Sequence, residues 1–109
     1  MPATLDRVAR ALGDSTRLEI LGALRGDEQT VGAIAEGFAM TRPAISQHLR
    51  VLLDAELVAV RAEGTRNYYR STPDGLAGLR AWLETFWDDA LDRLAVEAAK
   101  EEADKGAPT

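Results

Sequence analysis

The sequence predicts a mostly α-helical chain with one small β-hairpin, in the order ααααββα. Three observations point to this. Apolar residues recur at three- and four-residue spacing in five separate stretches. The period falls to two in one place only, between Leu57 and Ser71. Each helical stretch is bracketed by Thr, Asp, Gly or Pro where those residues start or stop helices.

The first helix is expected over about Leu5 to Leu12, with Thr4 as its cap and Gly13 as its end. Leu5, Val8, Ala9 and Leu12 then share one face. Asp14 caps a second helix, about Ser15 to Arg25, and Gly26-Asp27 turns the chain. Thr30 caps a short third helix, Val31 to about Phe38. Thr41 caps a fourth, Arg42 to about Asp54, with Pro43 in the first turn where its missing N–H costs nothing. Leu57 to Arg61 reads as a strand, Glu63-Gly64-Thr65 as a turn and Arg66 to Ser71 as the returning strand. One of Tyr68 and Tyr69 must face the core, because strand neighbours alternate; the sequence leaves open which. Thr72-Pro73-Asp74 starts a last helix that runs to about Lys100. Residues 1–100 thus form one domain, and 101–109 a polar, flexible tail. A short helix, a tight turn, a second helix and a hairpin make a winged helix-turn-helix arrangement.

The 109 residues carry a net charge of −5, which at first argues against a polyanionic partner. The distribution reverses that. Residues 1–72 hold nine Arg and nine Asp/Glu, while residues 41–72 hold five Arg against three acids. The excess acid lies after residue 72, so the middle of the chain is locally basic, and local field decides phosphate binding. There are no cysteines, hence no disulfide, thiolate metal site or thiol chemistry. No Ser or His stands with an acid partner at motif spacing and no Gly-rich phosphate loop is present, so no enzyme is expected. No cofactor or metal is implied. With no apolar run of membrane-span length and no apolar leader, the expectation is a cytoplasmic protein without a membrane partner.

On a wheel of about 100° per residue, Ile45, Leu49 and Leu52 of the fourth helix face one way, and Pro43, Gln47, Arg50 and Asp54 the other. Ser46 and His48 lie on the flanks. An amide, a hydroxyl, an imidazole and a guanidinium within two turns are the groups that read base edges in a major groove. Thr41, Arg42 and the free N–H groups of the first turn suit a phosphate oxygen. Arg61, Thr65, Arg66 and Arg70 are expected around the hairpin tip, where a basic wing would meet the DNA backbone or minor groove. His48 reads equally as a packing residue beside the helix interface.

LGDSTRLEIL (12–21), TVGAIAEGFAMTRPAISQHLRVLLDAELV (30–58) and VRAEGTRNYYR (60–70) together resemble the ArsR family of winged-helix repressors. The resemblance covers roughly residues 5–95. It implies a homodimer built from the first and last helices and double-stranded DNA with an inverted-repeat operator as partner. By position, Ser46, Gln47, His48 and Arg50 would enter the groove, and Arg61, Thr65 and Arg66 would be wing contacts. Where the family often has glycine, this chain has Ala39 and Glu56. The family's metal sensors use cysteines on the third helix or His/Asp clusters on the last. Neither is present here, so the resemblance is to its non-metal members, with room for a small-molecule effector of unstated identity.

Leu5, Val8 and Leu12 are expected to pair across the dimer with Leu79, Leu83, Phe86, Trp87, Leu91 and Leu94, and Trp82 to join them. A chain this small has little interior for two tryptophans and a leucine stripe. Asp88, Asp89 and Asp92 read as a solvated helix face. A rival reading keeps the fold and the dimer but drops DNA, leaving a protein-interaction module. The outward Gln47, Arg50 and Arg66 argue against it, since a protein-binding face favours apolar anchors.

Overall fold

Helix caps lay out the first half of the chain. The computed structural model describes the backbone of residues 3–106 and the side chains of residues 4–101. Helix α1 (Ala3–Leu12) begins two residues earlier than expected, so Thr4 lies inside its first turn instead of capping it. An Asp6–Arg10 pair spans one turn at 3.0 Å. Asp14 is extended and accepts from the Arg17 N–H at 3.1 Å, which starts α2 (Ser15–Ala23). That bond holds the Asp14 carboxyl below its ordinary range. Helix α2 stops short of the expected Arg25. Its free carbonyls are taken by Ser71, whose hydroxyl donates to Leu21 O at 2.6 Å and whose N–H donates to Leu24 O at 3.1 Å. Thr30 and Thr41 cap α3 (Val31–Gly37) and α4 (Arg42–Asp54) through their hydroxyls, as the sequence predicts.

Both α3 and α4 end in the same six-residue loop-back. Met40 N–H donates to Ala35 O and Ala39 N–H to Glu36 O; Leu57 N–H donates to Leu52 O and Glu56 N–H to Leu53 O. This Schellman closure needs a left-handed residue just past the helix, the place usually taken by glycine. Here Ala39 and Glu56 occupy it, with φ of 52° and 60°. These are the two positions where the chain departs from the family's glycines.

The unit up to Leu79 has one apolar core. Ile20, Ile45, Leu52 and Leu57 are wholly buried, and each such side chain contributes roughly 1.5–3 kcal/mol on leaving water. Strands β1 (Val58–Glu63) and β2 (Arg66–Ser71) pair antiparallel, from Val58↔Ser71 to Glu63↔Arg66. Strand β1 starts one residue later and runs two further than expected. The turn is therefore two residues, with Gly64 at φ 60° in its first position, the pattern of a type II′ hairpin. Gln29, before α3, exchanges two backbone hydrogen bonds with Tyr69 (3.0 and 2.8 Å) and acts as a one-residue third strand. A 3-10 turn, Asp74–Leu76, follows the hairpin. Its Gly75 passes against the α4–β1 corner, with Gly75 N–H donating to Glu56 O at 2.9 Å.

Helix α5 (Ala77–Gly106) is one unbroken helix of 30 residues, about 45 Å long at 1.5 Å per residue. It continues six residues past Lys100 into the stretch expected as a flexible tail; residues 107–109 of that stretch lie outside the described residues. From Arg80 on, every described side chain is exposed.

Candidate nucleic-acid interface

Helix α4 sorts its residues as its periodicity predicts. Ile45, Leu49 and Leu52 are buried, while Ser46, Gln47, Arg50 and Asp54 are exposed. The three core contacts fix the helix's rotation, so the polar face stands outward on a rigid element. Thr41 and Arg42 are exposed at its N-terminal end. The Arg42 guanidinium lies back over α3 at Gly32: a methyl group there would meet Arg42 Nη2 at 2.9 Å. Arg42 and Arg66 border one open cleft between α3, α4 and the hairpin tip, with Thr65 and Asn67 on the hairpin side and Glu36 on the α3 side. A second groove runs along α4 past Ser46, Gln47, Arg50 and Asp54 to Tyr69. The outward face of α4 is thus flanked on both sides by open surface.

The register settles the two tyrosines. Tyr69 is half-buried against the core. Tyr68 is on the other face, with Arg61, Glu63, Arg66 and Arg70. Thr65 and Arg66 sit at the turn and are exposed, as expected. Arg70 and Arg61 do not sit at the tip. Arg70 is opposite Ala59, near the base of the hairpin, and Arg61 is two pairs down from Glu63↔Arg66, opposite Tyr68. Its Nε donates to Glu28 at 3.0 Å and its Nη1 to Glu63 at 2.9 Å. Those two carboxylates, Glu63 foremost, hold the guanidinium's pKa above its usual value. Among the described residues, Arg42, Arg50, Arg66 and Arg70 make no ion pair.

His48 is half-buried at the edge of α4, with Nδ1 3.4 Å from Arg17 Nη1. An arginine only donates, so Nδ1 accepts and a neutral ring carries its proton on Nε2. Arg17 also donates from Nε to Ala11 O at 2.7 Å and from Nη2 to Arg10 O at 3.1 Å, closing the end of α1. It therefore joins the end of α1, the start of α2 and one flank of α4. Sequence reasoning did not single out Arg17, Glu28 or Gln29. Only Arg17 had a visible signal, standing three residues after the Asp14 cap.

Of the residues expected at a dimer surface, Val8 is part of the single-chain core, Leu5 is buried, and Leu12 and Leu79 are half-buried against that core. Those four have little surface to offer a partner. Trp82, Leu83, Phe86, Trp87, Leu91 and Leu94 are all exposed, Trp87 at 63%. Trp82 and Phe86 meet edge to face with centroids 4.7 Å apart. No three His, Asp or Glu among the described residues are grouped so as to hold a metal ion, and no helix among them is long and apolar enough to cross a membrane.

A polar helix face set over a buried apolar one and followed by a basic hairpin defines a winged helix-turn-helix protein. A helix-turn-helix domain family model matches residues 12–61. The HTH-type transcriptional regulator Rv2034 of Mycobacterium tuberculosis is 46% identical over 90 residues, covering 83% of this chain and 84% of that one. Among solved structures, an ArsR-like transcriptional regulator from Rhodococcus sp. RHA1 superposes with a TM-score of 0.76 at 32% identity, over 96% of this chain and 94% of that one. The homodimeric winged helix-turn-helix DNA-binding domain Mb0332 of Mycobacterium bovis does so with a TM-score of 0.63 at 37% identity, over 83% of each chain. The chain belongs to the ArsR family of winged helix-turn-helix transcriptional regulators.

Proposed function

We propose that the protein is a homodimeric, sequence-specific DNA-binding regulator of the cytoplasm that represses transcription by occupying an inverted-repeat operator. The observation that carries this is the exposed Ser46–Gln47–Arg50 face of α4, held outward by three buried residues and flanked by Arg42 and Arg66, which make no ion pair among the described residues. Gln47 and Ser46 read base edges. Arg42, Arg50 and Arg66, with the Thr41 end of α4, take phosphates. His48 donates from Nε2 to the backbone, its other nitrogen being occupied by Arg17. The second copy covers the exposed Trp82–Leu94 stripe of α5, as an isologous two-fold interface would. Two α4 helices then enter major grooves about 34 Å apart, one turn of B-DNA. A dimer so seated on a promoter excludes polymerase.

Three arginines per subunit neutralise about six phosphates, so log K should fall against log salt with a slope near −5. Selection of bound duplexes from a random pool, followed by mobility shifts on point-changed sites, tests the assignment. Gln47→Ala should relax base preference at one position in each half-site, whereas Arg66→Ala should weaken all sequences alike. Equal loss of preference from both changes, or an affinity indifferent to salt, would refute it.

A further inference from the structure

Three arginines share the outer face of the hairpin, and one is already engaged. Arg66 and Arg70 have no ion pair among the described residues. Arg61 lies between two carboxylates and over a ring: Glu28 at 3.0 Å from the α2–α3 loop, Glu63 at 2.9 Å from its own strand, and the Tyr68 centroid 4.9 Å below its Cζ. One exposed ion pair is worth little, but here three partners from three segments converge on one planar group. One positive charge among two negative ones leaves the cluster net negative, so an approaching phosphate is repelled. To reach Arg61 it must also displace two charge-assisted bonds.

We propose that Arg61 is a positioning residue and not a DNA contact: Glu28 and Glu63 withhold its guanidinium from the phosphate backbone and use it to tie the wing to the α2–α3 loop. This rests on the reading of the chain as a DNA-binding regulator. The tie joins positions 33 residues apart, and it lies beside the Gln29–Tyr69 backbone bridge, so it sets how the hairpin leaves the domain. Phosphate contact by the wing is thereby left to Arg66 at its tip and to Arg70 nearer its base. Glu28 and Glu63 thus limit how much of the hairpin is available to any DNA sequence, and they favour base readout by α4 over indiscriminate backbone binding.

The salt slope of duplex binding tests this in four proteins: wild type, R61A, the double variant E28Q/E63Q, and E28Q/E63Q/R61A. R61A should keep the wild-type slope, with an affinity loss common to all sequences. E28Q/E63Q releases one arginine per subunit and should steepen the slope by about 1.8 per dimer, at about 0.9 per phosphate. The triple variant should return to the wild-type slope, which separates a newly freed Arg61 from mere loss of acidic repulsion. A flatter slope for R61A, an unchanged slope for E28Q/E63Q, or a triple variant as steep as the double would each overturn the proposal alone. A wild-type chain with no affinity for duplex DNA at any salt would overturn the regulator reading and this proposal with it.

Discussion

Replacing Ala39 by glycine should stabilise the protein, although glycine is ordinarily the weaker residue within a helix. Ala39 holds φ at 52° in the closure of α3, a region that costs an L-residue roughly 1–2 kcal/mol. Glycine escapes that cost but brings more freedom to the unfolded chain, which takes back about 0.4–1 kcal/mol. The Ala39 side chain is exposed, so its methyl contributes little packing. The net gain is about 0.5–1 kcal/mol, or roughly 2–8 °C in Tm for a domain of this size. Gly37, two residues earlier, supplies the opposite control. It is the last residue of α3, its φ is ordinary, and an added methyl meets nothing within 4 Å. Gly37→Ala should therefore stabilise too, by about 0.5–1 kcal/mol. Urea and thermal unfolding followed by circular dichroism, at one fixed protein concentration because self-association would make Tm depend on it, measures both. A39G less stable than wild type, with G37A gaining as expected, would show that the left-handed closure at Ala39 does not carry the strain assigned to it.

Gly75→Ala should be among the most damaging single-methyl additions, because the new carbon would lie 2.6 Å from Glu56 O and closer still to Ala55 O. A loss of about 1–3 kcal/mol is expected from the urea midpoint, and an unchanged midpoint would contradict the close approach. Trp87→Glu, on the exposed stripe of α5, should shift the protein from dimer to monomer in sedimentation while the circular dichroism of the fold persists. A dimer of unchanged affinity would place the interface elsewhere. The Asp14 carboxyl is depressed in the fold, so the stability it contributes is present above the ordinary carboxylate pKa and is lost as pH falls through the folded value. Asp14→Asn retains a capping oxygen without the charge. Its stability deficit relative to wild type should therefore shrink as pH falls below the ordinary carboxylate pKa of about 3.9 and on through the lower folded value.

What was legible in the sequence is what local physics determines. Thr30, Thr41 and Asp14 start helices because a side-chain oxygen reaches an N–H three residues on, and that spacing is visible without coordinates. The same holds for the rotation of α4, since Ile45, Leu49 and Leu52 alone define its buried side. Periodicity could not say what covers an apolar face, so Val8 was expected at a subunit boundary and lies in the chain's own core. The engagement of Arg61 was hidden for a related reason: Glu28 is 33 residues away, and only the sheet register brings the two together. Ala39 and Glu56 were noticeable as missing glycines, but their positive φ emerged only with the backbone. Polarity suggested a loose tail after Lys100. Residues 101–105, Glu-Glu-Ala-Asp-Lys, instead sustain α5, because Ala, Glu and Lys are strong helix formers whatever their polarity.

The hairpin's moorings are distributed unevenly along its length. Ser71 is bonded to two carbonyls of α2, Tyr69 to Gln29 on both sides, and Thr72 N–H to Leu57 O, whereas Gly64 and Thr65 hold only to each other's strands. Such a ribbon behaves as a beam clamped at one end, whose excursions grow toward the unclamped end. Arg66 is therefore the less firmly moored of the two groups, and Gln47, on a helix fixed by three buried residues, the more firmly. In the regulator proposed above, that division would let the rigid helix fix the sequence while the lightly moored arm adjusts to the phosphates beside it.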